Sequence, residues 1–442
     1  MSDDVARLRA LGLSEHAAEQ KAVLLTDARA ALAAMRDSRA VSDACAFWVP
    51  GRIEFLGKHT DYAGGRSLLC AIDRGICIVA TPRTDRRIRI TDARVHETVE
   101  IEIDASANGR AGHWSTYPLT VARRIARDFG EPVVGADIAF TSDLPPASGM
   151  SSSSALIVAT FLVLADVNRL AEREAYASSL ASLDQLAGYL GAVENGYGYG
   201  TFGGDAGVGT FGGSEDHTAI LCSRPSSLVQ YSFCPVRFER VVPLPADHEL
   251  IVAHSGVVAE KIGAVMEHYN RLSVATQELA ADWRNLTGRV DATLGDVVAS
   301  EPNAAETFLA SVRDRRSDLV NRLDQFILES TELVPGAVDA LLCGDLTRLG
   351  SIVSRSQAAA ERMLRNQIDE TIWLVRDARD YGAVAASAFG AGFGGAVWAL
   401  IRSSDAAEFR ERWMARYASR FPAAAERATF FSTRAGPPAA RI

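Results

Sequence analysis

Leu144-Pro145-Pro146-Ala147-Ser148-Gly149-Met150-Ser151-Ser152-Ser153-Ser154-Ala155 is the stretch on which the reading of this chain turns. A strand-like run at residues 136–142 precedes it, and an apolar, helix-compatible run at 156–165 follows. Pro145 and Pro146 break the strand, and Gly149 permits a turn that a side chain would obstruct. Ser151, Ser152, Ser153 and Ser154 then fall in the first turn of the predicted helix. Free backbone N–H groups and the positive end of the helix dipole make that turn suit a phosphate. The hydroxyls can add hydrogen bonds or ligate Mg²⁺. A helix N-cap in a small-residue loop would use the same residues, so this loop alone leaves both readings open. No Gly-Lys-Ser/Thr follows, which excludes a Walker A loop.

Upstream, residues 1–40 are Ala-rich and charged, with Leu25, Ala28, Leu32 and Met35 at helical spacing, which predicts a helical N-terminal extension or lid. The texture changes at Ala46. A strand-like Phe47-Trp48-Val49 runs into Pro50-Gly51-Arg52-Ile53-Glu54-Phe55-Leu56-Gly57-Lys58-His59-Thr60-Asp61-Tyr62-Ala63-Gly64-Gly65, and two β-compatible runs follow at 68–72 and 75–80. Arg, Lys, His and Asp clustered on a loop between apolar strands are how sites are commonly built, although a solvated hairpin loop would also fit. Residues 86–104 alternate as antiparallel strands do, and 114–129 read as an amphipathic helix.

Downstream of the serines, two Ala/Leu-rich helices extend to about Val193. A glycine-dense segment holds a near repeat, Gly200-Thr201-Phe202-Gly203-Gly204 and Gly209-Thr210-Phe211-Gly212-Gly213, nine residues apart. A hairpin at 228–243, a strand at 250–253 and helices at 259–282, 303–330 and 334–350 come next. A further helix near 368–380 leads through Ala388-Phe389-Gly390-Ala391-Gly392-Phe393-Gly394-Gly395 into a strand at 396–401.

The totals bound the function. A chain of 442 residues that is 48% hydrophobic and 23% charged can bury a sizeable core in two or three domains. A net charge of −9 argues against broad nucleic-acid or anionic-membrane binding. The six cysteines are scattered among apolar residues without a C-x-x-C pair, as expected of reduced core residues in a cytoplasmic protein. The sequence shows neither a secretory signal pattern nor a membrane-length apolar run.

Three segments in order resemble the GHMP kinases. Residues 50–65 resemble the galactokinase signature, 144–155 the ATP-phosphate loop and 388–395 the third, C-terminal glycine motif. Trp114-Ser115-Thr116-Tyr117 is similar to the galactokinase tryptophan–tyrosine segment. The resemblance implies an α+β, two-lobed GHMP kinase fold. Its N-terminal lobe would be ribosomal-protein-S-five-like and its C-terminal lobe ferredoxin-like, with ATP and substrate between them. Expected boundaries are 1–40 for the extension, 41–245 for the ATP-binding lobe and 246–442 for the C-terminal lobe.

The same resemblance implies an ATP- and Mg²⁺-dependent kinase acting on a free monosaccharide, at the anomeric C1 hydroxyl. The phosphates would be held by Ser148, Gly149, Met150 and Ser151 to Ser154. Mg²⁺ would be held by Ser152 or Ser153 with Glu194, and Glu194 could equally be a solvated helix-end carboxylate. Arg52 maps onto the arginine beside the family's aspartate, which positions or deprotonates the sugar hydroxyl. The family pattern Gly-x-Met-Asp-Gln can fall on Asp205 or Asp216. Asp216 opens the better helix start, where the dipole stabilises an acid, and it is the choice made here, with His217 in place of the usual glutamine. His59 and Asp61 carry over as hydroxyl ligands, and Tyr269 as a sugar contact or a helix-packing residue.

Lys58 departs from the family, whose glutamate at that position contacts the sugar's C6 hydroxymethyl. It is expected either to face an anionic substituent or to turn away toward Glu54. The alternatives are therefore the same chemistry on a uronic acid, pentose, heptose or N-acetylhexosamine, or a catalytically silent sugar- and ATP-binding regulator. Expected partners are a small sugar and ATP, without nucleic acid or membrane. Oligomeric state is left open, and a monomer is compatible.

Overall fold

Residue alternation along the first long strand sets the architecture. The computed structural model describes residues 3–35, 45–107, 112–145, 149–257 and 263–442. In β1 (Cys45–Leu56), Phe47 and Val49 join the central core, together with the helix Ser152–Val167. Their neighbours Ala46 and Trp48 point to the opposite face, where they pack with Leu8, Leu25, Ala28 and Leu32 of the helices Asp3–Leu11 and Glu15–Met35. Period-two side-chain direction thus gives one sheet two covers. The N-terminal extension is a cover for this sheet face, and among the described residues it contributes nothing to the site cavity.

Among the described residues the first sheet runs β12-β1-β2-β5-β3-β4, from β2 (Arg66–Pro82), β3 (Arg87–Asp92), β4 (Glu97–Glu102), β5 (Ala136–Ser142) and β12 (Ala440–Arg441). The hairpin of β6 (Ser227–Ser232) and β7 (Arg237–Pro243) attaches to β2. Where the sequence suggests two short runs, β2 is one strand. Asp73 and Arg74 do not break it because the other lobe holds both. Thr433 Oγ1 donates to Asp73 Oδ1 at 2.5 Å, and the Arg74 guanidinium lies 4.0 Å from the Phe431 ring centroid.

The second sheet is antiparallel, in the order β11-β8-β10-β9, from β8 (His248–His254), β9 (Ala385–Phe389), β10 (Ala396–Arg402) and β11 (Thr429–Thr433). Ile251, Ala253, Val397 and Ala399 face the helices Asp369–Asp380 and Ala406–Arg420. Leu250, Val252, Trp398 and Leu400 point the other way, into the core shared with the first sheet. There Phe55 and Trp398 stack with centroids 4.1 Å apart, joining the lobes behind the site.

The two sheets divide between Pro243 and His248, while β12 returns from the chain's end to pair with β1. A separate apolar cluster, including Leu279, Trp283, Phe308 and Phe326, steadies the helix Gly263–Thr287 that carries Tyr269.

Candidate active site

Gly149 (φ +77°) and Ser151 (φ 57°) both adopt left-handed backbone, so the chain folds sharply after the proline-bearing segment and delivers Ser152 into the first turn of the helix Ser152–Val167. Ser148 lies outside the described residues. The serines diverge in role. Ser154, buried, donates from Oγ to Glu194 Oε2 at 2.7 Å, and its Oγ lies 3.3 Å from Asp216 Oδ2. Ser153 hydrogen-bonds the Tyr117 side chain, which belongs to the tryptophan–tyrosine segment. A hydroxyl that reaches Glu194 is thus that of Ser154, next to the Ser152 and Ser153 weighed from the sequence.

Arg52 connects three distant segments. Its Nε and Nη2 donate to Asp216 Oδ1 at 2.7 and 2.6 Å, and its Nη1 donates to the Gly149 carbonyl at 2.5 Å. Asp216 sits in the first turn of the helix Glu215–Cys222, where the dipole favours an acid. Asp205 lies elsewhere. It is buried against Arg123, whose Nε reaches Oδ2 at 2.6 Å, and it caps Gly207 N from Oδ1. Of the two aspartates weighed from the sequence, only Asp216 lines the cavity.

Arg52, His59, Asp61, Glu194, Asp216 and Tyr269 all line that cavity. Asp61 accepts from the Glu215 backbone N–H at 3.1 Å. A Cβ on Gly213 would lie 2.4 Å from Asp61 Oδ2, so the second copy of the near repeat needs glycine there. The first copy has no place among the lining residues, whereas Thr210, Gly212 and Gly213 of the second copy do. His59 pairs through Nδ1 with Tyr62 Oη at 2.9 Å, and its ring lies 5.5 Å from that of Tyr269. Burial, with Asp61 close by, holds the Tyr269 phenol well above its ordinary range.

Lys58 is turned away. Its Nζ donates to the Ala388 carbonyl at 2.5 Å and lies 3.8 Å from Glu54 Oε1, and it is absent from the lining. Sequence reasoning passed over several residues that do line the cavity, among them Glu54, Asn195 and Glu215. Asn195 Oδ1 accepts from Thr210 Oγ1 at 2.9 Å and Gly212 N at 2.7 Å, so it shapes the glycine segment. Its adjacency to Glu194 was the available signal. Burial pushes the Glu54 carboxyl up to about 7 against the pull of Lys58 and Arg52. Burial and the nearby Glu54 hold Glu215 well above the carboxylate range.

The donor set suits Mg²⁺. Glu194 and adjacent serine hydroxyls are hard oxygen ligands, few enough to leave positions for water and phosphate oxygens. Ser154 orients that carboxylate by its hydrogen bond, and His217 Nε2 stands 3.1 Å from Oε2. The third glycine motif closes the far side, where a Cβ on Gly390 would sit 2.9 Å from the Gly149 carbonyl.

Known proteins resemble this chain over most of its length. Residues 39–82 match the family described as the galactokinase galactose-binding signature, 116–213 the GHMP kinases N-terminal domain and 337–419 the GHMP kinases C-terminal domain. The galactokinase of Chloroflexus aggregans is 28% identical over 386 residues, covering 84% of this chain and 87% of that protein. The galactokinase of Roseiflexus sp. is 28% identical over 367 residues, covering 82% and 84%. In structure, Lactococcus lactis galactokinase complexed with galactose superposes with a TM-score of 0.77 at 21% identity, over 95% of this chain and all of that one. Methanococcus jannaschii mevalonate kinase gives 0.53 at 13% identity, over 90% and 99%. The chain has the α+β, two-lobed GHMP kinase fold and belongs to the GHMP kinase superfamily as a galactokinase-like sugar kinase.

Proposed function

We propose that this chain transfers the terminal phosphoryl group of ATP, with Mg²⁺, to the anomeric C1 hydroxyl of a free monosaccharide. The observation that carries the reading is the Arg52 junction, where one guanidinium holds both the acid Asp216 and the backbone of the phosphate loop. Phosphoryl transfer is chiefly positioning and charge stabilisation, and such a junction fixes acceptor and donor sites relative to each other.

In this reading Gly149, Met150 and the turn at Ser151 to Ser154 cradle the ATP phosphates. Glu194 and a serine hydroxyl would hold Mg²⁺, which would neutralise phosphate charge when bound. His59, Asp61 and Tyr269 hold the sugar with its C1 hydroxyl against Asp216. The hydroxyl oxygen attacks the terminal phosphorus, its proton passes to the Asp216 carboxylate, and ADP leaves. Arg52 holds the Asp216 carboxylate in place and stabilises charge on the transferring group. Lobes divided at 245/246 are the working units, with residues 1–40 as cover. No helix among the described residues is long and apolar enough to cross a membrane, and the cytoplasm, where ATP and free sugars meet, is the proposed location.

The test is ATP consumption with Mg²⁺ over free monosaccharides, with the product's phosphate located by NMR. A C1 phosphate from a neutral hexose or pentose is expected. ATP consumption without a sugar phosphate, or phosphate at another carbon, would sink the reading.

A further inference from the structure

The cavity carries more acid than the reaction needs. Besides Asp216, Glu194 and Asp61, it is lined by Glu54 and Glu215, and neither has a role so far. Arg52 is the arginine among the lining residues, and its donors already serve Asp216 and the Gly149 carbonyl. Glu54 is 4% exposed, and among the described residues its Oε1 has no hydrogen-bond partner. Behind it stands Lys58, with Nζ 3.8 Å from Oε1 but committed to the Ala388 carbonyl. Glu215 shares a hydrogen bond with Glu54, accepts from Ser67 Oγ at 2.7 Å and anchors Asp61 through its own N–H.

We propose that Glu54 is the specificity-determining carboxylate of the sugar pocket, that with Glu215 it reads a second hydroxyl of the sugar, and that this pair of acids turns away a uronate or sugar phosphate. The inference rests on the sugar-kinase reading above. Glu54 and Glu215 both line the cavity, so a sugar hydroxyl entering it meets a pair of carboxyl groups that can hold it in a fixed direction. Two carboxyl groups sharing a hydrogen bond hold a proton between them near neutrality, so the pair can accept from a hydroxyl and donate to it. Lys58 supplies the compensating charge from outside the cavity, facing Glu54 together with Arg52, Glu215 and Glu329. The cation that could have read an anionic substituent is thereby spent behind the wall. A substrate carboxylate would meet the one negative charge the pair keeps and that of Asp61, and like charges repel.

The test is calorimetric sugar binding without ATP, run beside turnover, for wild type, Glu54→Gln and Lys58→Met. The probes are galactose, its 6-deoxy analogue, arabinose, galacturonate and glucuronate, and thermal melts confirm that each variant folds. Wild type is expected to bind at least one neutral sugar about a hundredfold more tightly than either uronate. Glu54→Gln should weaken that neutral sugar about tenfold, the worth of a hydrogen bond to a charged group, and narrow the gap to the uronates. Tighter binding of a uronate by wild type, lost in Lys58→Met, would overturn the inference, as would Glu54→Gln binding every sugar within twofold of wild type. Selective binding without turnover would sink the kinase reading and leave this one standing.

Discussion

Removing the Lys21 ammonium should loosen the phosphate loop from the far side of the first sheet. Lys21 belongs to the helix Glu15–Met35, yet it is fully buried, with Nζ on Asp143 Oδ2 and 5.8 Å from the Trp48 ring. Asp143 closes β5 at the mouth of the loop. Its Oδ1 accepts from Gly75 N at 2.8 Å, and the next residue, Leu144, is buried beneath Gly51. Breaking a buried ion pair by deleting one partner costs about 3–5 kcal/mol, because the other charge is left uncompensated. Asp143 is 22% exposed and keeps Gly75, so water and backbone absorb part of this, and about 2–3 kcal/mol remains for Lys21→Met. For a cooperative unit of lobe size that is a Tm loss of roughly 5–10 °C.

The assay is a double-mutant cycle read by thermal and urea unfolding. Asp143→Asn should cost at least as much as Lys21→Met, because it strands the more deeply buried charge. The double variant should recover to within about 1 kcal/mol of wild type, since neither charge is then left unpaired. Kinetically, Lys21→Met should raise the KM for ATP and leave the KM for sugar unchanged. Additive losses in the double variant, or a single loss below about 0.5 kcal/mol, would refute the brace.

Asp216→Asn and Arg52→Ala should each lower kcat by at least about a hundredfold. Asp205→Asn should keep turnover within a few-fold and lose about 2–3 kcal/mol of stability by stranding Arg123; the reverse pattern would reassign the acid. Ser154→Ala frees Glu194 to swing, and should raise the Mg²⁺ concentration needed for half-maximal activity more than it lowers kcat at saturating Mg²⁺. Gly213→Ala drives a methyl onto Asp61 and should raise the sugar KM with a stability loss of about 1–3 kcal/mol, whereas an unchanged KM would detach Asp61 from the sugar. Glu54 binds its proton more tightly folded than unfolded, so its contribution to stability is present at low pH and is lost as pH rises from the ordinary glutamate range through about 7. Melting temperature should fall across that window, Glu54→Gln should flatten the fall, and an unchanged slope would mean that Glu54 does not titrate there.

What the sequence disclosed follows the range of the forces involved. The serine turn, its helix and the strand before it are local, and residues 136–167 alone sufficed to read them. The preference for Asp216 over Asp205 came from a local argument too, a helix start against a glycine run, and the two side chains sit accordingly. Lys58 was not legible in direction, because its acceptor, the Ala388 carbonyl, is 330 residues away. Glu54 entered the reading only as a partner for Lys58, on a segment expected to be a loop that is in fact the end of β1. Its signal, a charge in a run whose every position is buried, exists only once β12 and the second sheet have closed around β1. The N-terminal helices announced their periodicity but not their target, since Ala46 and Trp48 become a second apolar face only when the sheet exists.

Arg52 shows why the signature, the loop and the third glycine motif occur as a set. Its guanidinium is held between Asp216 and the Gly149 carbonyl, with the Phe389 ring 5.9 Å away. Gly149 can offer that carbonyl because its left-handed backbone turns it inward, and Gly390 leaves room because a Cβ there would press to 2.9 Å from the same oxygen. A side chain at either glycine would move the carbonyl, then the arginine, then the acid. Each motif alone is a common loop. The bond from Nη1 to Gly149 makes them one device, because the same cation that holds the acid also sets where the phosphate loop lies relative to it.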